Sequence, residues 1–205
     1  HLNDGNATSF TTSYRGTYSN SPNWCGKSVF GTDLDGNGEN DFLVADCGSG
    51  SSDGDDRITW WNANSGSFNY ATAISTALDC PSSVFASDLD GDGDLDVLTT
   101  SIDDNEIGWF QNLGGSATSW AHDVISTDEE DPRSAFPVDI DGDGDMDILT
   151  ASSGGNGTIA LYESDGAGTW TRNVITRAAD GARSVLALDL NGDGMLDIGY
   201  ASRSD

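Results

Sequence analysis

Asp88-Leu89-Asp90-Gly91-Asp92-Gly93-Asp94-Leu95-Asp96 is the stretch that decides how this chain folds, because it recurs three more times. The other copies stand at 33–41 (DLDGNGEND), 139–147 (DIDGDGDMD) and 189–197 (DLNGDGMLD). Side-chain oxygens at positions 1, 3 and 5, with a carboxylate at position 9, make a hard-oxygen donor set suited to Ca²⁺. The candidate ligands are Asp33, Asp35, Asn37 and Asp41 in the first loop, and Asp88, Asp90, Asp92 and Asp96 in the second. They are Asp139, Asp141, Asp143 and Asp147 in the third, and Asp189, Asn191, Asp193 and Asp197 in the fourth. Position 7 runs through Glu39, Asp94, Asp145 and Met195, as expected where only the backbone carbonyl binds. Glycines at positions 4 and 6 let the backbone curl around an ion without a Cβ clash. Acidic groups packed this densely repel one another unless a cation lies between them. Up to four Ca²⁺ are expected.

These loops are not EF-hands. That motif needs a glutamate at position 12 and a helix on either side. Here position 12 is Val44, Thr99, Thr150 and Tyr200, each inside a short β-type run such as Phe42-Leu43-Val44 or Val97-Leu98-Thr99. The residues before the loops are extended in character too, as in Ser83-Val84-Phe85-Ala86. Each loop is therefore expected to join two strands of a hairpin.

The loops start at 33, 88, 139 and 189, so the spacings are 55, 51 and 50 residues. A period near 50 with several short strands is the mark of a propeller blade. A third strand follows each of the first three hairpins: Arg57–Trp61, Glu106–Phe110 and Thr158–Tyr162. A fourth begins near an aromatic residue, Phe68, Trp120 or Trp170. The expected fold is all-β, a propeller of four-stranded antiparallel blades with about four repeats. One domain of 1–205 divides into repeats near 1–16 (partial), 17–76, 77–127, 128–178 and 179–205 (partial).

On these loops, and on the Ile-x-Trp-Trp and Ile-x-Trp-Phe strands at 58–61 and 107–110, the chain resembles FG-GAP/VCBS-type β-propeller repeats, related to the calcium loops of integrin α-chain propellers. The resemblance implies a calcium-bound, extracellular propeller. It leaves open whether such a propeller serves adhesion, lectin activity or a larger carbohydrate-active enzyme.

Residues 3–16 align with 112–125, which places Phe10 in the position of Trp120 and starts the chain at a fourth strand. One blade is then split between the termini. It is completed by the chain's own ends, by further repeats of a longer propeller, or by a neighbouring subunit, and open sheet edges invite such pairing. The absence of an initiator Met and of a signal-like segment suggests a mature or trimmed product.

Composition narrows the partners. Net charge is −27, from 35 acidic and 8 basic residues. Nucleic acid and anionic membranes are poor partners for such a surface, and no long apolar run is present to insert in a membrane. Other protein chains, copies of itself and glycans remain as partners. Cys25 and Cys47 are placed to bridge across the first hairpin, with Cys47–Cys80 between repeats as the alternative; either suits an oxidising, extracellular setting. Asn6 and Asn156 stand in N-glycosylation sequons.

Catalysis is not legible. There are two histidines, His1 and His122, and no assembled nucleophile or acid–base pair is apparent. Glu129 and Glu130 read as a solvated turn. Trp60, Trp109, Trp120 and Trp170 recur once per repeat, as packing requires. Trp61, Phe110 and Tyr162 point the other way along their strands and are candidate ligand contacts, as is Trp24, outside the repeat pattern. Lys27, Arg133 and Arg183, six residues before a loop, read as salt-bridge partners. The expected function is a structural or interaction module, not an enzyme.

Overall fold

The computed structural model describes residues 2–3, 10–11, 25–48, 56–65, 67–68 and 72–203. Eighteen strands follow in chain order, and no helix is found among these residues. They begin with a short pair, β1 (Leu2–Asn3) and β2 (Phe10–Thr11), in which Asn3 lies opposite Phe10. The first full repeat holds β3 (Cys25–Thr32), β4 (Asp41–Cys47), β5 (Arg57–Trp61), the small pair β6 (Ala63–Asn64) and β7 (Ser67–Phe68), and β8 (Thr72–Ser75). The second holds β9 (Pro81–Ser87), β10 (Asp96–Ser101), β11 (Glu106–Asn112) and β12 (Trp120–Ser126). The third holds β13 (Pro132–Val138), β14 (Asp147–Ser152), β15 (Thr158–Ser164) and β16 (Trp170–Thr176). A two-stranded repeat, β17 (Ala182–Leu188) and β18 (Asp197–Ser202), ends the described chain.

Each full repeat is an antiparallel meander: β3-β4-β5-β8, β9-β10-β11-β12 and β13-β14-β15-β16. The acidic loop joins the first strand to the second every time, as the extended flanks predict. Burial follows position in the sheet. β10 and β14 are buried along their whole length, and the outer β12 and β16 are largely solvated. A strand covered on both faces needs no polar alternation, which is why Val97-Leu98-Thr99 and Ile148-Leu149-Thr150 read as continuous runs.

The first strands stand side by side, β3 against β9, β9 against β13 and β13 against β17. Three apolar clusters fill the gaps between successive repeats. Leu34, Leu43, Ile58 and Trp60 meet Val84, Val97 and Phe110; Leu89, Leu98 and Trp109 meet Ile148 and Tyr162; Leu149, Ile159 and Leu161 meet Ala182 and Val185. A ladder of rings runs through the first strands, Phe30 to Phe85 at 5.2 Å and Phe85 to Phe136 at 5.7 Å.

The basic residues of the first strands share a feature beyond pairing, and of the three expected salt-bridge partners Arg133 alone forms an ion pair among the described residues. The strand register slips by one residue at Lys27, Ser82, Arg133 and Arg183, so each is the extra residue of a β-bulge. Arg133 lies 3.9 Å from Asp131 and donates to Ser153 at 2.9 Å. Lys27 and Arg183 form no ion pair among the described residues.

Two further expectations are corrected. Cys47 bonds to Cys80, not to Cys25, although Cys25 and Cys47 are register partners. Buried Cys47 closes onto the link before β9, where Cys80 adopts φ 56°, so the bond ties the first repeat to the second and leaves Cys25 free and exposed. Titration of the native chain should find one reactive thiol, lost in Cys25→Ser; two reactive thiols would contradict the pairing. Glu129 is not solvated: it is 1% exposed and occupies the place of buried Leu78 in the preceding repeat. Its Oε1 accepts hydrogen bonds from Tyr162 Oη (3.0 Å) and Arg172 Nε (2.8 Å) and pairs with a terminal Arg172 nitrogen at 2.8 Å. Glu130, beside it, is exposed as expected. Removing one partner of a buried pair costs about 3–5 kcal/mol. Arg172 keeps some solvent contact, so Arg172→Ala should destabilise the chain by about 2–3 kcal/mol, read in denaturant unfolding.

Candidate metal centre

Each acidic loop spans a tight hairpin, and its carboxylates are gathered by the backbone. The position-1 aspartate accepts from two N–H groups ahead of it, Asp88 from Gly91 (2.8 Å) and Gly93 (3.0 Å), and Asp139 from Gly142 (2.7 Å) and Gly144 (3.1 Å). Gly93 and Gly144 sit at φ 96° and 102°, in the left-handed region that glycine tolerates without strain. Positions 3 and 5 accept from the N–H two residues on. Asp90 does so from Asp92 (3.2 Å) and Asp92 from Asp94 (2.9 Å).

Position 9 opens the second strand and is buried, with Asp41 and Asp96 at 0% exposure. Its Oδ2 accepts from the position-2 N–H: Leu34 to Asp41 (3.1 Å), Leu89 to Asp96 (3.1 Å) and Ile140 to Asp147 (3.0 Å). Its Oδ1 accepts from the backbone just beyond or at the end of the third strand: Ala63 to Asp41 (2.7 Å), Asn112 to Asp96 (2.8 Å) and Ser164 to Asp147 (2.9 Å). Trp60 Nε1 adds a bond to Asp41 at 2.9 Å. This carboxylate thus bolts the loop to the third strand as well as facing the other acids. Burial pushes Asp96 up to about 6 and raises Asp147, against the lowering effect of those backbone donors.

Three carboxylate groups result: Asp33, Asp35 and Asp41; Asp88, Asp90 and Asp96; Asp139, Asp141 and Asp147. Within each, one oxygen per residue lies within 4.8 Å of the others. An all-oxygen set at this spacing fits a hard divalent cation such as Ca²⁺. Asn37, Asp92 and Asp143 stand beside these groups in the same loops, with their Oδ1 atoms accepting from the position-7 N–H. At position 7, the Asp94 and Asp145 carboxylates lie over the turn glycines Gly115 and Gly166, where a Cβ would meet them. Glu39 is half-buried and Met195 is exposed.

The fourth loop has the same backbone pattern, with Asp189 accepting from Gly192 (2.6 Å) and Gly194 (2.9 Å). Those donors hold the Asp189 carboxyl below the usual range. Asn191 brings no charge, and Asp197 Oδ2 accepts from Leu190 at 3.1 Å; among the described residues no third strand donates to Asp197.

Sequence reasoning missed a supporting pair. Asn62 and Gln111 follow the third-strand aromatics Trp61 and Phe110, and their amides donate to Asp35 and Asp90, the position-3 acids. Their signal was an uncharged amide at one repeat-matched position.

The candidate ligand aromatics fare differently. Phe110 and Tyr162 are buried between repeats, because each packs against the repeat before it. Trp61 is half-buried. Trp24 lies outside the described residues, as does Asn6; Asn156 is exposed in the turn between β14 and β15. His122 bonds to Glu106 at 2.8 Å and stacks on Phe110 at 4.4 Å, a structural setting.

A family model described as an FG-GAP-like repeat matches residues 33–99, 88–150 and 139–200. Together the matches run from the first acidic loop into β18, well over half of the chain, and the chain belongs to the FG-GAP-like repeat family. No curated protein matches it.

Proposed function

We propose that this FG-GAP-like repeat chain is an extracellular, calcium-stabilised interaction module, built as a row of propeller blades and lacking catalysis of its own. One observation supports this most: three carboxylate groups occupy the same place in successive repeats, at the loop that joins first strand to second. Ca²⁺ supplies charge neutralisation there. The chain's own residues orient it: glycine amides fix the position-1 acid, and the buried position-9 acid ties the loop to the third strand. An inter-repeat disulfide and calcium at millimolar levels both suit an oxidising, extracellular setting. The acidic surface favours protein partners, copies of the chain among them, over nucleic acid or anionic membrane. A glycan-binding reading through exposed aromatics has less support, since Phe110 and Tyr162 are buried.

Titration calorimetry of chelator-treated chain with Ca²⁺ tests this reading. Three tight sites and a weaker fourth are expected, the fourth because Asn191 replaces the position-3 acid, so that among the described residues only the first three loops gather three carboxylates within 4.8 Å of one another. Asp90→Ala and Asp141→Ala should each remove one tight site. No calcium uptake would overturn the reading, and turnover of polysaccharides or esters by the purified chain would overturn its non-catalytic part.

A further inference from the structure

The third strands reach the acidic loops at one matched place, and there the third repeat departs from the first two. Asn62, Gln111 and Glu163 each follow a third-strand aromatic that pairs with the second strand: Trp61 opposite Phe42, Phe110 opposite Val97 and Tyr162 opposite Ile148. In the first two repeats the side-chain amide donates to Oδ2 of the position-3 acid, Asn62 to Asp35 at 2.5 Å and Gln111 to Asp90. The other oxygen of each acid, Oδ1, accepts from the position-5 N–H at 3.2 Å. Each carboxylate is thus held from two sides, by its own loop and by a strand. In the third repeat only the inner hold remains. Asp141 Oδ1 accepts from Asp143 at 3.2 Å, and no side-chain amide donates to Asp141 among the described residues. An ionised carboxylate has no donor to offer, and Glu163 Oε2 instead accepts from Asn173 Nδ2 on β16 at 2.7 Å. The outer strands show the reverse exchange: Asn173, opposite Leu161, stands where Asp123 stands opposite Trp109. Amide and acid have traded strands between the second repeat and the third. Exposure agrees, since Asp35 and Asp90 are half-buried and Asp141 is exposed.

We infer that the residue after the third-strand aromatic sets how tightly each loop holds its cation. Asn62 and Gln111 are positioning residues for Asp35 and Asp90, and Glu163 leaves Asp141 without one. The physical reason is preorganisation. The terminal torsion of an aspartate is broad, so an acid held at one oxygen only must give up that freedom when a cation arrives. An amide fixed on a strand removes the freedom beforehand, and rigidity of this kind is one of the two quantities that tune calcium loops. Partners that hydrogen-bond a ligating group are worth about 10–100-fold in metal affinity. The second quantity is ligand charge, and it acts here in the opposite direction. Glu163 adds a negative charge beside the third loop, which by itself would tighten that site. Substitutions at 111 and 163 therefore separate positioning from charge by the sign of their effect.

This inference rests on the reading of the loops as calcium sites, and the wild-type titration reports on that reading alone. The full chain, stripped with chelator, is titrated with Ca²⁺ while the amide signals of Gly93 and Gly144 are followed by NMR. Their N–H groups donate to Asp88 and Asp139, so each signal reports its own loop. Gln111→Met keeps the length of the side chain and its charge but removes the donor. It should weaken the second site about tenfold or more and leave the third as in wild type. Glu163→Gln should tighten the third site about tenfold, although it removes a negative charge, because the new amide can keep the bond from Asn173 at its carbonyl and donate to Asp141. The untouched loop is the internal control for folding in each variant, and damage to the fold does not tighten a site. Glu163→Gln that weakens the third site shows that charge governs it and overturns the inference. So does either variant that leaves its own loop unchanged, or Gln111→Met that tightens the second site. If neither glycine responds to Ca²⁺ in the wild-type chain, the calcium reading fails and this inference fails with it.

Discussion

Removing calcium should lower the melting temperature of this chain by tens of degrees. A ligand that binds only the folded state stabilises it by RT ln(1 + [L]/Kd), about 2.7 kcal/mol per site at a hundredfold excess over Kd. Three such sites contribute about 8 kcal/mol, which is as large as the whole stability of many domains. For a chain of this size each kcal/mol shifts the midpoint by about 2–4 °C, so a fall on the order of 20 °C is expected. The loops explain why the effect is not confined to the ion. Asp96 and Asp147 are buried among other acids, and burial raises both of them. Scanning calorimetry with and without excess chelator checks this. Coincident melting curves would mean that the loops hold their shape by backbone hydrogen bonds alone.

The loops were legible because four identical constraints act within nine residues, and a local motif needs no tertiary information. The hairpin on either side was legible for the same reason, and the four-stranded repeat followed from its period. What escaped was decided between repeats. Phe110 and Tyr162 alternate away from Trp109 and Leu161 along their strands, which in an open sheet would put them in water. Here both faces of the third strand are covered, one by the repeat before and one by the repeat after, so alternation does not separate inside from outside. Glu129 shows the same limit. Its neighbours Asp128, Glu130 and Asp131 mark a polar turn, and only Tyr162 and Arg172, from strands more than thirty residues on, make its burial tolerable. Cys25 and Cys47 lie opposite each other as the hairpin predicts, but the bond is made to Cys80 of the next repeat, whose Cα is 4.3 Å from that of Cys47. Position 9 was read as a ligand; that it also bolts the loop to the third strand required the strand to be in place.

That bolt separates two acids that the motif treats as equivalent. Asp90→Ala removes a carboxylate at the rim of the second loop, whereas Asp96→Ala removes one at 0% exposure whose oxygens accept from Leu89 and Asn112. Both variants should lose the second calcium site. Only Asp96→Ala also strands two backbone N–H groups in the interior, at about 1–3 kcal/mol each. The difference should survive chelation. In excess chelator, Asp90→Ala should unfold close to the wild-type midpoint, since the repulsion it relieves offsets the amide contact from Gln111 that it loses. Asp96→Ala should remain about 2–5 kcal/mol less stable than wild type under the same conditions. Relief of the cost of burying that carboxylate, which holds its pKa near 6, works in the opposite direction and keeps the expected loss below the full sum. Urea unfolding of the three proteins in chelator measures both values. If Asp96→Ala matches Asp90→Ala there, the buried carboxylate serves the ion alone, and the third strand is held to the loop by packing of Leu89 and Trp109 rather than by Asp96.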